Sequence, residues 1–333
     1  MSRDVLLLCE AARATGLGHL VRSLALATEL AGRGREVTIA LRPDALPEAR
    51  DRVRAAGLTL ATGGWVDPDL RAGAPGTVVV DSYRVTGAEL TGLHRRCGET
   101  GARLVVIDDL ADRSFTADVV VNQNVGAESL SYPGAGTVLR GPRHALLRPA
   151  FPAARTAGLR SAAELPDVPR RVFVLFGGTD AAGMAGTAAA AALRAFPHAR
   201  VRVVVPGAAP VPAEVTASPR ATVLPPVDAV HEEMLDADLV VSAGGTSLWE
   251  LCCLARATAV VAVAENQLPT YDRLTAAGHV LGAGRHPGAT VGELADRLRT
   301  LTAPPGTLGR VARSAATVTD GAGCARVADA LAG

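Results

Sequence analysis

The chain has 333 residues, 48% hydrophobic and 20% charged, which is enough to bury a large core, and its length favours two domains over one. A formal net charge of +1 removes the electrostatic case for nucleic acid or an anionic membrane as a partner. Five cysteines, an odd count with Cys252 and Cys253 adjacent and no metal-like spacing, fit reduced thiols in a cytosol; an aromatic content of 3% argues against a carbohydrate-stacking lectin surface.

The first predicted strand is VLLLC, residues 5–9, an apolar run too short for a signal h-region or a membrane span. TGLGHLVRS, residues 15–23, follows it and opens a predicted helix, LVRSLALATELAGRG, that ends in glycine where a C-cap belongs. The runs EVTIAL, TVVVD, ARLVVID and DVVVN come next, with helical spacing between them. Continuous apolar strands alternating with helices predict a parallel sheet covered on both faces. From Pro149 the pattern breaks into a stretch rich in Pro, Ala and charge, read as a linker over 151–171. A second series follows: RVFVLF, ARVRVVV, ATVLP, DLVVSA and TAVVAVA. The expectation is α/β: two Rossmann-like doubly wound domains, 1–150 and 172–333, facing a cleft.

Ligands of such sheets bind outside the carboxyl ends of the strands. Polar clusters stand at those ends: TGLGH, DSY (Asp81 to Tyr83), DD (Asp108, Asp109) and NQN (122–124), then FGGTD (176–180), SAGGTSLWE (242–250) and AENQ (264–267). Gly177, Gly178 and Thr179, and Gly244, Gly245, Thr246 and Ser247, each precede a helix; amides there suit a diphosphate. Glu250, four residues after Thr246, shares its helical face and suits a ribose diol. The plainer alternative makes the glycines turns, Thr246 or Ser247 an N-cap, and Glu250 a partner of the helix dipole. His19, beside Gly16 and Gly18, suits a general base, with Asp81, Asp108 or Asp109 orienting the ring; its plainer alternative is a turn-closing hydrogen bond. A dinucleotide fingerprint fails twice, because Val21 holds the third glycine position and IALRP carries no acid. No P-loop, H-E-x-x-H or G-x-S-x-G motif exists.

GLGHLVRSLALA, VVVDSY, VIDDLADR, VNQN, ALLRPAF, FGGTD and SAGGTSLWELCCLARATAVVAVAENQ, taken together, resemble the UDP-2,4-diacetamido-2,4,6-trideoxy-β-L-altropyranose hydrolases of pseudaminic acid biosynthesis. The resemblance runs from about residue 5 to about residue 285. It implies a GT-B fold like that of MurG, with UDP on the C-terminal domain and the sugar facing the N-terminal one. Water would attack the anomeric carbon with inversion, without metal or organic cofactor, in making a nonulosonic acid. Position by position, His19 matches the catalytic histidine, and Tyr83 and Asn266 match residues lining the sugar and water. Glu250 matches the ribose ligand, Gly244 to Thr246 the diphosphate loop, and Val227 a stretch whose backbone meets uracil. Gly16, Gly18, Asp81, Asp109 and Gln267 are expected to contact substrate beside them. Two positions depart from the pattern. Leu8-Cys9-Glu10 stands where the family has R-x-D, and the helix of Glu250 is followed by LARAT without the family's proline. The alternative reading is a glycosyltransferase of the same fold, in which an acceptor hydroxyl replaces water; a third is a non-catalytic nucleotide-sugar binder. The expected protein is a cytoplasmic monomer that binds a UDP-sugar, takes no nucleic acid and has no stable membrane anchor.

Overall fold

The computed structural model describes residues 4–12, 15–61, 65, 75–207, 209–288 and 290–332. The chain divides into two compact units, Met1–Arg148 with Ala322–Gly333, and Pro149–Gly321. The first contains β1 (Val5–Cys9), α1 (Gly18–Gly32), β2 (Val37–Leu41), α2 (Pro47–Ala55), β3 (Thr59–Leu60), β4 (Thr77–Asp81), α3 (Gly87–Thr100), β5 (Arg103–Ile107), β6 (Ala117–Asn122) and β7 (Ala135–Arg140). The second contains α4 (Ala150–Ala162), β8 (Arg171–Leu175), α5 (Ala185–Ala195), β9 (Arg200–Val204), α6 (Ala213–Thr216), β10 (Ala221–Leu224), α7 (Val230–Asp236), β11 (Leu239–Ala243), α8 (Ser247–Cys253), β12 (Thr258–Ala262), α9 (Leu268–Ala276), β13 (Leu281–Arg285), α10 (Val291–Thr302) and α11 (Thr307–Ala315). The chain ends in α12 (Gly323–Ala332).

Each unit is built on one parallel sheet, ordered β3-β2-β1-β4-β5-β6-β7 in the first and β10-β9-β8-β11-β12-β13 in the second. In both, the chain runs outward on one side and returns to the other side of its first strand. The order therefore reverses between β1 and β4, and between β8 and β11. A crevice opens at such a reversal, because the loops on either side leave in opposite directions. Register then aligns the strand ends: Cys9 pairs with Asp81, Asp81 with Ile107, and Ile107 with Val121. Glu10, Ser82 and Asp108 consequently form the next row along one edge.

Two expectations are corrected. Residues 151–162 of the supposed linker lie in the helix α4, with Phe151, Gly158 and Ala162 buried. Gly158 explains the close packing: a Cβ there would lie 2.2 Å from the Leu254 carbonyl oxygen, and the buried Arg256 donates to the Gly158 carbonyl at 2.7 Å. The last helix, α12, belongs to the first unit and not to the second. It buries Val327, Ala328 and Leu331 in the core that α1 also enters, and Arg33 at the end of α1 donates to Asp329 at 2.5 Å. A side chain at Gly323 would meet the Ala145 carbonyl oxygen at 2.1 Å, so only glycine lets the chain return there.

All five cysteines are buried free thiols, and burial, its largest cause, pushes Cys252 up to about 12. Among the described residues no helix is long and apolar enough to cross a membrane.

Candidate active site

In the first unit the site starts at the turn after β1. Gly16 turns the chain at φ 70, and α1 begins two residues later with no side-chain cap and no acid in its first turn. His19, Arg22 and Ser23 sit at i, i+3 and i+4, so they share one helical face. All three converge on the Asp81 carboxylate at the end of β4. His19 Nδ1 lies 2.6 Å from Oδ1, Arg22 donates through Nε to Oδ2 at 2.8 Å and through Nη2 to Oδ1 at 2.6 Å, and Ser23 Oγ donates to Oδ2 at 3.1 Å.

Asp81 is 0% exposed. Burial pushes its pKa up, but the Arg22 guanidinium, then His19 and the hydrogen bonds from both, outweigh burial and hold it well below the usual carboxylate range. An ionised carboxylate only accepts, so the 2.6 Å contact with Asp81 calls for a proton on Nδ1, although Arg22 Nη2 lies 3.2 Å from the same nitrogen; in that tautomer Nε2 is the acceptor. This is the tautomer that a general base needs. Burial likewise opposes the charge of Arg22, yet Asp109 and Asp81 raise its pKa well above the ordinary value.

A second arc closes around the ring. The Tyr83 ring packs edge-on against His19, with centroids 4.4 Å apart. Its hydroxyl donates to Asp109 Oδ2 at 2.6 Å, and burial first, with the Asp109 carboxylate second, raises its pKa. Arg22 Nη1 donates to the same Oδ2 at 2.7 Å, and Asn124 Nδ2 to Asp109 Oδ1 at 2.9 Å. On the far side of the imidazole, Glu10 Oε1 lies 3.8 Å from Nε2 and accepts the Tyr83 backbone N–H at 2.9 Å. Glu10 is 0% exposed, and its Oε2 has no hydrogen-bond partner. Asp108 is occupied elsewhere: it accepts from the N–H of Ala111 at 2.7 Å, from Tyr132 Oη at 2.8 Å and from Arg113 Nη2 at 3.2 Å. Of the three candidate carboxylates, Asp81 is therefore the one that orients His19. Expected as a substrate contact, it is saturated and buried instead.

In the second unit, FGGTD and GGTS lie on either side of the reversal between β8 and β11. Gly177 has φ 77 and Asp180 φ 42; the Asp180 carboxylate caps α5 by accepting the N–H groups of Met184 at 2.9 Å and Ala185 at 3.0 Å. Gly178 is exposed and Thr179 half-buried. Gln267 ties two loops together, because its Oε1 accepts the N–H of Gly244 at 3.1 Å and of Val263 at 3.0 Å. A Cβ on Gly244 would come within 3.3 Å of that side chain. Thr246 is the N-cap of α8 but makes no side-chain cap bond, so its hydroxyl does not serve as a cap. Gly245 and Ser247 are half-buried beside it, and Glu250 is 4% exposed in α8. Asn266 is exposed in the short turn Glu265–Gln267, and Val227 is half-buried ahead of α7.

The structure thus joins His19, Tyr83, Asp81 and Asp109 in one network, and Gly244 and Gln267 in another. Gly16 and Gly18 form the turn into His19. Sequence reasoning passed over Arg22 and Ser23, although the spacing H-x-x-R-S was visible. It also noted Glu10 only as a departure, without its place against Nε2. Among the described residues no group of three or more His, Cys, Asp or Glu side chains is placed to hold a metal ion.

No protein-family model and no curated protein matches the chain. Solved structures do. MurG of Acinetobacter baumannii is 15% identical with a TM-score of 0.65, covering 99% of both chains. UGT89C1 of Arabidopsis thaliana complexed with UDP-L-rhamnose is 14% identical with a TM-score of 0.65, covering 98% of this chain and 97% of its own. The calicheamicin glycosyltransferase CalG4 is 16% identical with a TM-score of 0.62, covering 99% and 98%. With the two parallel sheets, these likenesses show a MurG-like GT-B fold of two Rossmann-like domains.

Proposed function

We propose that the chain is an enzyme that transfers the glycosyl group of a UDP-sugar to a hydroxyl nucleophile deprotonated by His19. The observation that carries this reading is the buried pair of His19 Nδ1 and Asp81 Oδ1 at 2.6 Å. It leaves Nε2 as acceptor and sets a fixed negative charge behind the ring, where the imidazolium forms. The nucleophile's O–H gives its proton to Nε2 as its oxygen attacks the anomeric carbon. The C–O bond to the diphosphate breaks with inversion, and UDP leaves with the bonding pair. The Gly177 and Gly244 loops bind the diphosphate, Glu250 the ribose and the Val227 backbone the uracil. Tyr83 and Asn266 line the sugar. No metal takes part, and the enzyme works in the cytoplasm.

Two nucleophiles fit this chemistry. The likeness to glycosyltransferases supports an acceptor hydroxyl. Water, which makes the enzyme a hydrolase of a UDP-diacetamido-trideoxyhexose, is supported by the run of motifs from GLGHLVRS to AENQ and by a ring only 5% exposed, with buried Glu10 against Nε2. The test is UDP release from UDP-diacetamido-trideoxyhexoses and from common UDP-sugars, with and without added alcohols and sugars. Release without acceptor establishes hydrolysis, and release only with acceptor establishes transfer. In either case His19→Asn lowers the rate about 10²–10⁴-fold, the usual contribution of a general base. Absence of release under every condition overturns the enzymatic reading.

A further inference from the structure

The second unit carries a cavity of about 570 Å³ at the edge of its sheet away from the Gly177 and Gly244 loops. Register builds it. Arg171, the first residue of β8, pairs with Arg200, the first residue of β9; Arg202 then pairs with Phe173 on one side and Thr222 on the other. Residues two apart on a strand share a face, so Arg171, Arg200 and Arg202 project together. Arg170 precedes them, and Arg220 and His198 enter from the turns before β10 and β9. A five-residue strand spans about 16 Å, so a ligand here shares no residue with one at the Gly177 loop.

The charges do not balance. Arg171 donates to Asp236 at 2.9 Å and to Asp238 at 2.8 Å, and Arg202 forks onto Glu233 with both bonds at 2.6 Å. Arg220 is held only by neutral carbonyls, those of Leu193, Phe196 and Ala199. The side chains of Arg170, Arg200 and His198 have no partner among the described residues. Five guanidiniums therefore face three carboxylates, and two of the five are directly opposed across strands. Like charges so placed repel. The face is not closed by apolar packing either, since α7 is only seven residues long and Thr222 beyond Arg202 is exposed.

We propose that this cavity binds a phosphate-bearing small molecule, with Arg170 and Arg200 as its main ligands and Arg220 beside them. Guanidinium forks match phosphate oxygens two at a time, and the volume lies in the usual range for a small-molecule site. A phosphate in this place cancels the repulsion that the register creates.

The test is calorimetric titration of the full chain with pyrophosphate at about 150 mM salt, where exposed charges are screened beyond roughly 8 Å. The nucleotide loops are the same in the wild type and the variant, so any pyrophosphate they hold cancels in the comparison. The wild type binds saturably, and Arg170→Gln/Arg200→Gln binds at least tenfold more weakly with unchanged thermal unfolding. A parallel arm sediments the protein with phosphatidylglycerol vesicles. Co-sedimentation that pyrophosphate competes away identifies the phosphate as a lipid headgroup; pyrophosphate binding without co-sedimentation identifies a soluble ligand. Equal binding by the double variant, or no saturable binding in either arm, overturns the proposal.

Discussion

Asp81→Asn is the substitution that best separates the parts of the His19 network. It removes one charge and almost no volume. The native carboxylate accepts four bonds from three buried side chains, those of His19, Arg22 and Ser23. An amide offers one oxygen and one NH₂, so the half of the group that becomes NH₂ faces donors. Breaking one side of a buried ion pair costs about 3–5 kcal/mol. Arg22 keeps its bond to Asp109 at 2.7 Å, which places the loss near the lower bound. A loss of about 3 kcal/mol lowers the melting temperature of a unit this size by about 6–12 °C. The chemical effect is separate. If the new NH₂ meets Nδ1, the ring accepts there and carries its proton on Nε2, which then cannot take one from a nucleophile. The rate of UDP release per folded molecule falls about 10²–10⁴-fold.

Both readouts use one preparation: melting by circular dichroism, and UDP release at a temperature where the variant is folded. A variant that melts lower but releases UDP at the wild-type rate per folded molecule refutes the dyad and leaves Asp81 a structural ion-pair partner. The pH dependence adds a further check. The folded pKa of Asp81 is depressed, so its contribution is complete above the unfolded carboxylate value of about 3.9 and is lost as pH falls through the folded value. The stability gap between wild type and Asp81→Asn therefore narrows as the pH falls below about 4.

The second unit gives two more predictions. Glu250→Ala weakens UDP binding, since hydrogen bonds to a charged acceptor contribute about 1.5–3 kcal/mol each; an unchanged dissociation constant by calorimetry returns Glu250 to a helix-dipole role. Gln267→Leu leaves the N–H groups of Gly244 and Val263 without their shared acceptor, at about 1–3 kcal/mol for each group that stays buried, so both melting temperature and UDP affinity fall. If the affinity holds while the melting temperature drops, the Gly244 loop does not bind the nucleotide.

The fold was legible where strands are buried on both faces. VLLLC, TVVVD, RVFVLF and DLVVSA each read as a strand because parallel strands are apolar throughout, and each forms one. Three strands escaped notice, and all lie at or next to a sheet edge, where this pattern lapses. β3 has two residues, β7 is half-exposed, and β13 is LGAGR, whose glycines carry no strand signal. α4 was missed for a related reason. Its buried stripe is Phe151, Gly158 and Ala162, so one face is set by small size and not by hydrophobicity. The place of α12 in the first unit was beyond sequence reasoning, since nothing local to Val327 or Leu331 says which core they complete.

The choice among Asp81, Asp108 and Asp109 was left open by the sequence, yet the alternation of the strands contains it. Val79 on β4 packs in the core that holds Leu20 and Leu26 of α1, while Val78 and Val80 pack in the core on the other face with Leu90 and Leu93 of α3. Side chains alternate with a period of two. Asp81, two residues after Val79, therefore points to the α1 face and meets His19, Arg22 and Ser23. On β5 it is Ile107 that shares the α1 core, so Asp108 turns to the opposite face, where Tyr132 and Arg113 hold it. Cys9 is on the α1 face of β1, and Glu10 follows it by one, so its backbone leaves β1 on the side away from α1. Its carboxylate nevertheless reaches the imidazole, 3.8 Å from Nε2, because the chain has left the pleat by that point. Alternation thus accounts for Asp81 and Asp108 and fails at Glu10. That residue is where the one orphaned carboxylate oxygen of this network, Glu10 Oε2, is found.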